Sequence, residues 1–91
     1  MEELEDTLSL DEYLIENREA TFLLKVKGNS MKDEGILPGD LIIVERGKNP
    51  NLNDVVIVEE DGDYKMRHFP KKSKTPINVV AVVTAVVRKY L

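Results

Sequence analysis

The chain predicts a mostly β fold, a small curled sheet or partly open barrel with one short N-terminal helix. Three observations carry that prediction. Apolar residues recur in short runs separated by Gly, Pro, Asn and Asp rather than at helical spacing. Asp61-Gly62 stands between two such runs and is the dipeptide that best closes a two-residue hairpin. Val79 to Val87 is apolar at both parities, as a strand covered on both faces requires.

The elements follow in order. Residues 1–8 read as an acidic flexible tail, and 9–91 as a single domain. Ser9-Leu10-Asp11-Glu12 fits a capping box, with Leu8 and Tyr13 placed for a hydrophobic staple. A helix from Leu10 to Asn17 follows, too short to be stable unless it docks. Thr21 to Lys27 ends in alternation and reads as a strand closed by Gly28. Leu37-Pro38-Gly39-Asp40 has Pro and Gly where a type II turn takes them. Leu41 to Val44 is a strand buried on both faces, and Gly47 to Asn53 is turn-rich. The Asp61-Gly62 hairpin folds Tyr64–Phe69 against Val55–Glu59. Expected core positions are Leu24, Val26, Ile36, Leu41, Ile43, Val55, Ile57, Met66, Val80 and Val82. Val79–Val87 is either a central strand or the strand through which two copies pair.

Composition narrows the chemistry. With no cysteine, the 91 residues hold no disulfide, thiol nucleophile or Cys-ligated zinc, and a lone His68 removes a His-based metal cluster. Neither a Walker loop nor a dinucleotide-type glycine loop is visible, so no cofactor is expected. The N-terminus is acidic and no apolar run approaches a membrane span, which predicts a cytoplasmic protein without a membrane segment. Net charge is −4, but residues 1–20 hold eight acids against Arg18, so the remainder is basic. Its cluster, Arg67, His68, Lys71, Lys72 and Lys74, has Phe69 as its one aromatic. Base-stacking platforms use more, so the cluster reads as a solvated basic loop and direct nucleic-acid binding is not expected.

The stretch with chemical content is Val26-Lys27-Gly28-Asn29-Ser30-Met31, followed by Gly35-Ile36-Leu37-Pro38-Gly39-Asp40 and an apolar strand. A serine just past a strand and a glycine can present its hydroxyl and adjacent backbone N–H groups to one point, as a nucleophile with an oxyanion hole requires. Gly-x-Ser alone more often marks a turn. Together with Asn53-Asp54-Val55-Val56, the hairpin, and Ala81 and Ala85 in the last strand, the string resembles the LexA/UmuD-like S24 family of Ser–Lys peptidases.

That resemblance implies a LexA C-terminal-domain type of fold. It implies Ser30 as the nucleophile position, with the N–H groups of Ser30 and Met31 as oxyanion donors. In the family a lysine in the strand after the hairpin is the general base, and the enzyme cuts its own N-terminal segment at an Ala-Gly or Cys-Gly bond. Counted from Gly62, the lysine's place is held by Arg67. A guanidinium stays protonated in proteins, donates hydrogen bonds and accepts none, so it holds or pairs but does not take a hydroxyl proton. Lys65 lies two residues earlier, on the same side of a strand and roughly 7 Å along, and is the alternative base. His68 has the opposite parity.

No glycine follows an alanine here, and the chain starts near where a processed UmuD-type protein would. The expectation is therefore a processed or non-catalytic module of the SOS (DNA-damage) response. The resemblance implies a homodimer, associating through Val79–Val87, and partners such as a translesion polymerase subunit or a RecA filament. An active peptidase using Ser30 and Lys65, or a minimal domain retaining only the fold, are the alternatives.

Overall fold

A computed structural model describes residues 8–70 and 77–91. Helix α1 (Leu10–Leu14) leads through a 3₁₀ turn (Arg18–Ala20) into strands β1 (Thr21–Lys25), β2 (Leu41–Arg46), β3 (Val55–Glu60), β4 (Asp63–His68) and β5 (Val79–Val87). A second 3₁₀ turn, Lys32–Glu34, lies between β1 and β2. All pairings are antiparallel, in the order β1-β2-β5-β3-β4, and the sheet stays open with β1 and β4 as its edges.

The hairpin forms at the expected place. Glu60 pairs with Asp63, and Asp61 (φ 52°) and Gly62 (φ 83°) both adopt the left-handed backbone that a type I′ turn needs. Leu37–Asp40 is likewise the expected turn, closed by Asp40 N–H donating to the Leu37 carbonyl at 3.0 Å, with Gly39 at φ 92°.

The last strand sits in the middle. β5 pairs with β2 from Ala81 to Val87 but with β3 only from Val79 to Val82. Both faces of the sheet centre are buried. Val26, Met31, Ile36, Ile42, Val44, Ile57 and Ala81 form a core on one face. Val56, Val58 and Val82 form a second on the other, under Phe69, Ile77 and Val79. Burial on both faces explains why Leu41–Val44 and Val79–Val82 show no alternation, whereas from Val83 on burial alternates and Val86 is exposed.

Several expectations need correction. Ser9 makes no side-chain cap, and Leu8 and Tyr13 are exposed, so neither box nor staple forms. The helix ends at Leu14 and buries no residue. Without a docking surface so short a helix gains little from further turns. β1 stops at Lys25, and Leu24 is 42% exposed rather than core, because an edge strand has a neighbour on one side only. Leu41, Val55, Met66 and Val80 are half-buried. The core gains Met31, Ile42, Val44, Val56, Val58 and Ala81. The tail 1–7 and the basic residues 71–76 lie outside the described residues.

Candidate functional site

The loop between β1 and β2 presents Ser30. Val26 N–H donates to the Asp40 carbonyl and Gly39 N–H to the Val26 carbonyl, both at 2.8 Å, which fastens the two ends of the loop together. Within it, Lys32 N–H bonds to the Asn29 carbonyl, and Glu34 and Ile36 N–H both donate to the Met31 carbonyl. Met31 and Ile36 sink into the core, while Ser30, one residue before the Met31 anchor, stays exposed. Among the described residues, the backbone N–H groups of Ser30 and Met31 donate to no protein acceptor. Unused, adjacent N–H groups beside a hydroxyl are what an oxyanion hole is built from.

Ser30 borders an open depression of about 880 Å³ whose apolar wall includes Phe22, Leu24, Val44, Ile57 and Met66. Lys65 and Arg67 border the same depression, as do Lys25, Lys27, Arg46 and Glu60. One acid stands among five cations there, so the rim is positive. Arg46 also lies 5.8 Å from the Phe22 ring centroid, at cation–π range.

The two candidate bases meet a carboxylate instead of the serine. Arg67 Nη1 donates to Glu60 Oε1 at 2.5 Å, and Lys65 Nζ lies 3.7 Å from Glu60 Oε2. Neither is hydrogen-bonded to Ser30. Both side chains are about half exposed, 50% for Arg67 and 55% for Lys65.

Register sharpens the geometry. Arg67 pairs with Val56 and Lys65 with Val58, whereas Met66 pairs with Ile57. Directly paired residues share a face, so the Cα–Cβ bonds of Lys65 and Arg67 point away from the face on which Met31 and Ile36 pack. Both side chains nonetheless border the depression. His68 takes the face opposite Arg67, as alternation requires. That face is the one the Ser30 loop covers, and His68 Nε2 meets Glu34 Oε1 at 3.0 Å.

One strong polar cluster was not singled out by the sequence reading. Asp40 is only 3% exposed. Its carboxylate accepts from Arg88 Nε (2.6 Å, Oδ1), from Arg88 Nη2 (2.6 Å, Oδ2) and from Leu37 N–H (2.8 Å). The Arg88 hydrogen bonds, then that of Leu37, hold its pKa down to about 2 against the opposing effect of burial. The same pairing pushes the Arg88 guanidinium further up. Forty-eight residues separate the partners, so no local pattern could have revealed them. Glu60, which occupies both candidate bases, was also missed, although its place before the hairpin put it within reach of β4.

Among the described residues, no group of three or more histidine, aspartate or glutamate side chains is arranged to hold a metal ion. No helix among them is long and apolar enough to cross a membrane.

A serine in a strand-to-strand loop, backbone donors beside it, and a hairpin strand bringing cations to the same depression are the features this site offers. The chain belongs to the Peptidase S24-like family, which it matches over residues 1–82. It is 33% identical to Protein SamA of Salmonella typhimurium over 93% of its own length and 71% of that protein. It is 35% identical to Protein ImpA of Escherichia coli, over 81% of this chain and 53% of ImpA. With the LexA repressor of Clostridium botulinum it shares 37% identity over 80% of this chain but 36% of the repressor. The chain thus spans about half of ImpA and about a third of LexA.

Proposed function

We propose that this protein is a UmuD-like or LexA C-terminal-like module of the DNA-damage response that works by binding protein partners, its peptidase dyad impaired by Arg67. The observation that carries the reading is the pairing of Arg67 with Glu60 in place of any bond to Ser30. A guanidinium donates and does not accept, and here its donor faces a carboxylate. The nucleophile position and its backbone donors are retained while the base is not, so the depression is suited to holding a peptide rather than cutting it.

The module self-associates through Val79–Val87. Beyond Val82 the β3 side of β5 has no strand partner among the described residues, which leaves Val83–Val87 as a free half-edge able to pair with a second copy. A translesion polymerase subunit or a RecA filament is the partner class this reading implies, in the cytoplasm.

Cleavage of a peptide containing an Ala-Gly bond tests the dyad directly. The unmodified chain should match Ser30→Ala, within error, across neutral to alkaline pH. Turnover that disappears in both Ser30→Ala and Lys65→Ala would instead establish the active enzyme with Lys65 as base. Sedimentation tests the association: a protein that stays monomeric at high micromolar concentration is not a dimer of this kind.

A further inference from the structure

Arg88 follows the last residue of β5 and reaches across to the loop that carries Ser30. We infer that Arg88 is the positioning residue of that loop, locking its conformation from the far end of the central strand. The inference rests on the reading of the Ser30 loop as the functional site.

Between Gly28 and Asp40 the chain makes no ladder bonds, so its shape depends on its own turns and on whatever ties it down. Two ties are apolar, Met31 and Ile36 in the core. The third is Arg88. Its Nε and Nη2 grip both oxygens of Asp40, and Nη2 also donates to the Gly35 carbonyl at 2.7 Å. Gly35 is where the 3₁₀ turn after Met31 ends, in left-handed backbone at φ 81°. One planar fork therefore fixes both the Leu37–Asp40 turn and the end of the Ser30-bearing turn. Asp40, almost sealed from water, has no other cation in reach among the described ion pairs.

Without Arg88 the Asp40 carboxylate would keep only the Leu37 N–H, and the Gly35 carbonyl would lose its partner. Relief comes from the loop opening to water rather than from the sheet. The β2–β5 ladder closes at Leu41 and Val87, before Arg88, and does not use its side chain. Lysine would supply the charge but not the planar fork, so it can satisfy Asp40 or Gly35 but not both with the same geometry.

Amide hydrogen exchange of the intact protein tests this without any need for cleavage, so the result stands whether or not the peptidase reading does. In Arg88→Gln the Gly35 and Ile36 amides, which donate to Lys32 and Met31 carbonyls, should exchange at least about tenfold faster. The Val58 and Lys65 amides, a hydrogen-bonded pair of the β3–β4 ladder, should stay within about twofold, and Arg88→Lys should fall between the two proteins. Asp40→Asn gives a second route to the same local pattern if Arg88→Gln fails to fold. Equal acceleration throughout the sheet would make Arg88 a general stabiliser and overturn the assignment. Unchanged exchange at Gly35 and Ile36 in either variant would overturn it as well.

Discussion

Replacing Arg67 by lysine restores a side chain that can give up its proton, but the surroundings decide how much that helps. Arg67 is 50% exposed and bonded to Glu60, so a lysine there would be solvated and would face a carboxylate. Exposure leaves its pKa near ~10.4, and the carboxylate holds it there or higher. The neutral fraction is then about 0.04% at pH 7 and about 28% at pH 10, a rise of roughly 700-fold. Pairing with Glu60 suppresses it further, so the informative protein is Arg67→Lys combined with Glu60→Gln. Initial rates on an Ala-Gly peptide from pH 7 to 10 should climb about tenfold per pH unit and flatten near the lysine pKa. The unmodified chain should stay at the Ser30→Ala background. A functioning general base contributes about 10²–10⁴-fold, so the effect is measurable even with poor alignment. Absence of any rise in the double variant, with its fold intact by circular dichroism, would refute the placing of Arg67 at the base position. The register, which directs residue 67 toward the Val56 face, makes this a demanding test.

Further outcomes are expected. Asp40 has its carboxyl pKa lowered from 3.8 to about 2, so its pairing stabilises the fold fully above about pH 4 and the contribution fades as pH falls toward 2. Urea midpoints should accordingly drop from pH 4 to 2 in the unmodified protein, and Asp40→Asn should start lower and show a shallower fall. Val58→Ala removes two carbons from a fully buried site. At about 0.8 kcal/mol per carbon plus a cavity penalty it should cost about 2–3 kcal/mol, or about 8–24 °C in Tm. Leu23→Ala, at a site 59% exposed, should change stability by less than about 0.5 kcal/mol. Gly62→Ala forces a side chain into left-handed backbone at φ 83° and should cost about 1–2 kcal/mol in a thermal melt.

Much of the sheet was legible from residues alone because its signals are local. Asp61-Gly62 specifies two positive φ angles, Pro38-Gly39 specifies a type II turn, and unbroken apolar runs mark strands covered on both sides. The N-terminal signals misled for the opposite reason. Ser9 and Glu12 can cap a helix only if the helix persists, and α1 buries no residue against the described part of the chain. The core list failed where position in the sheet outweighs composition: Leu24 is as apolar as Ile42, yet one lies on an edge and the other beside the centre.

The sequence by itself determined the Asp61-Gly62 hairpin, the serine in its glycine-preceded turn, and an arginine in β4 where the family resemblance implies a lysine. Tertiary structure alone decided that β5 is central, that Glu60 holds both Lys65 and Arg67, and that Arg88 closes on Asp40. The reason is one of range. Turn preference and hydrophobic period are fixed by neighbours along the chain, whereas strand order and ion pairing depend on which distant segments share the same few ångströms once the apolar faces are buried.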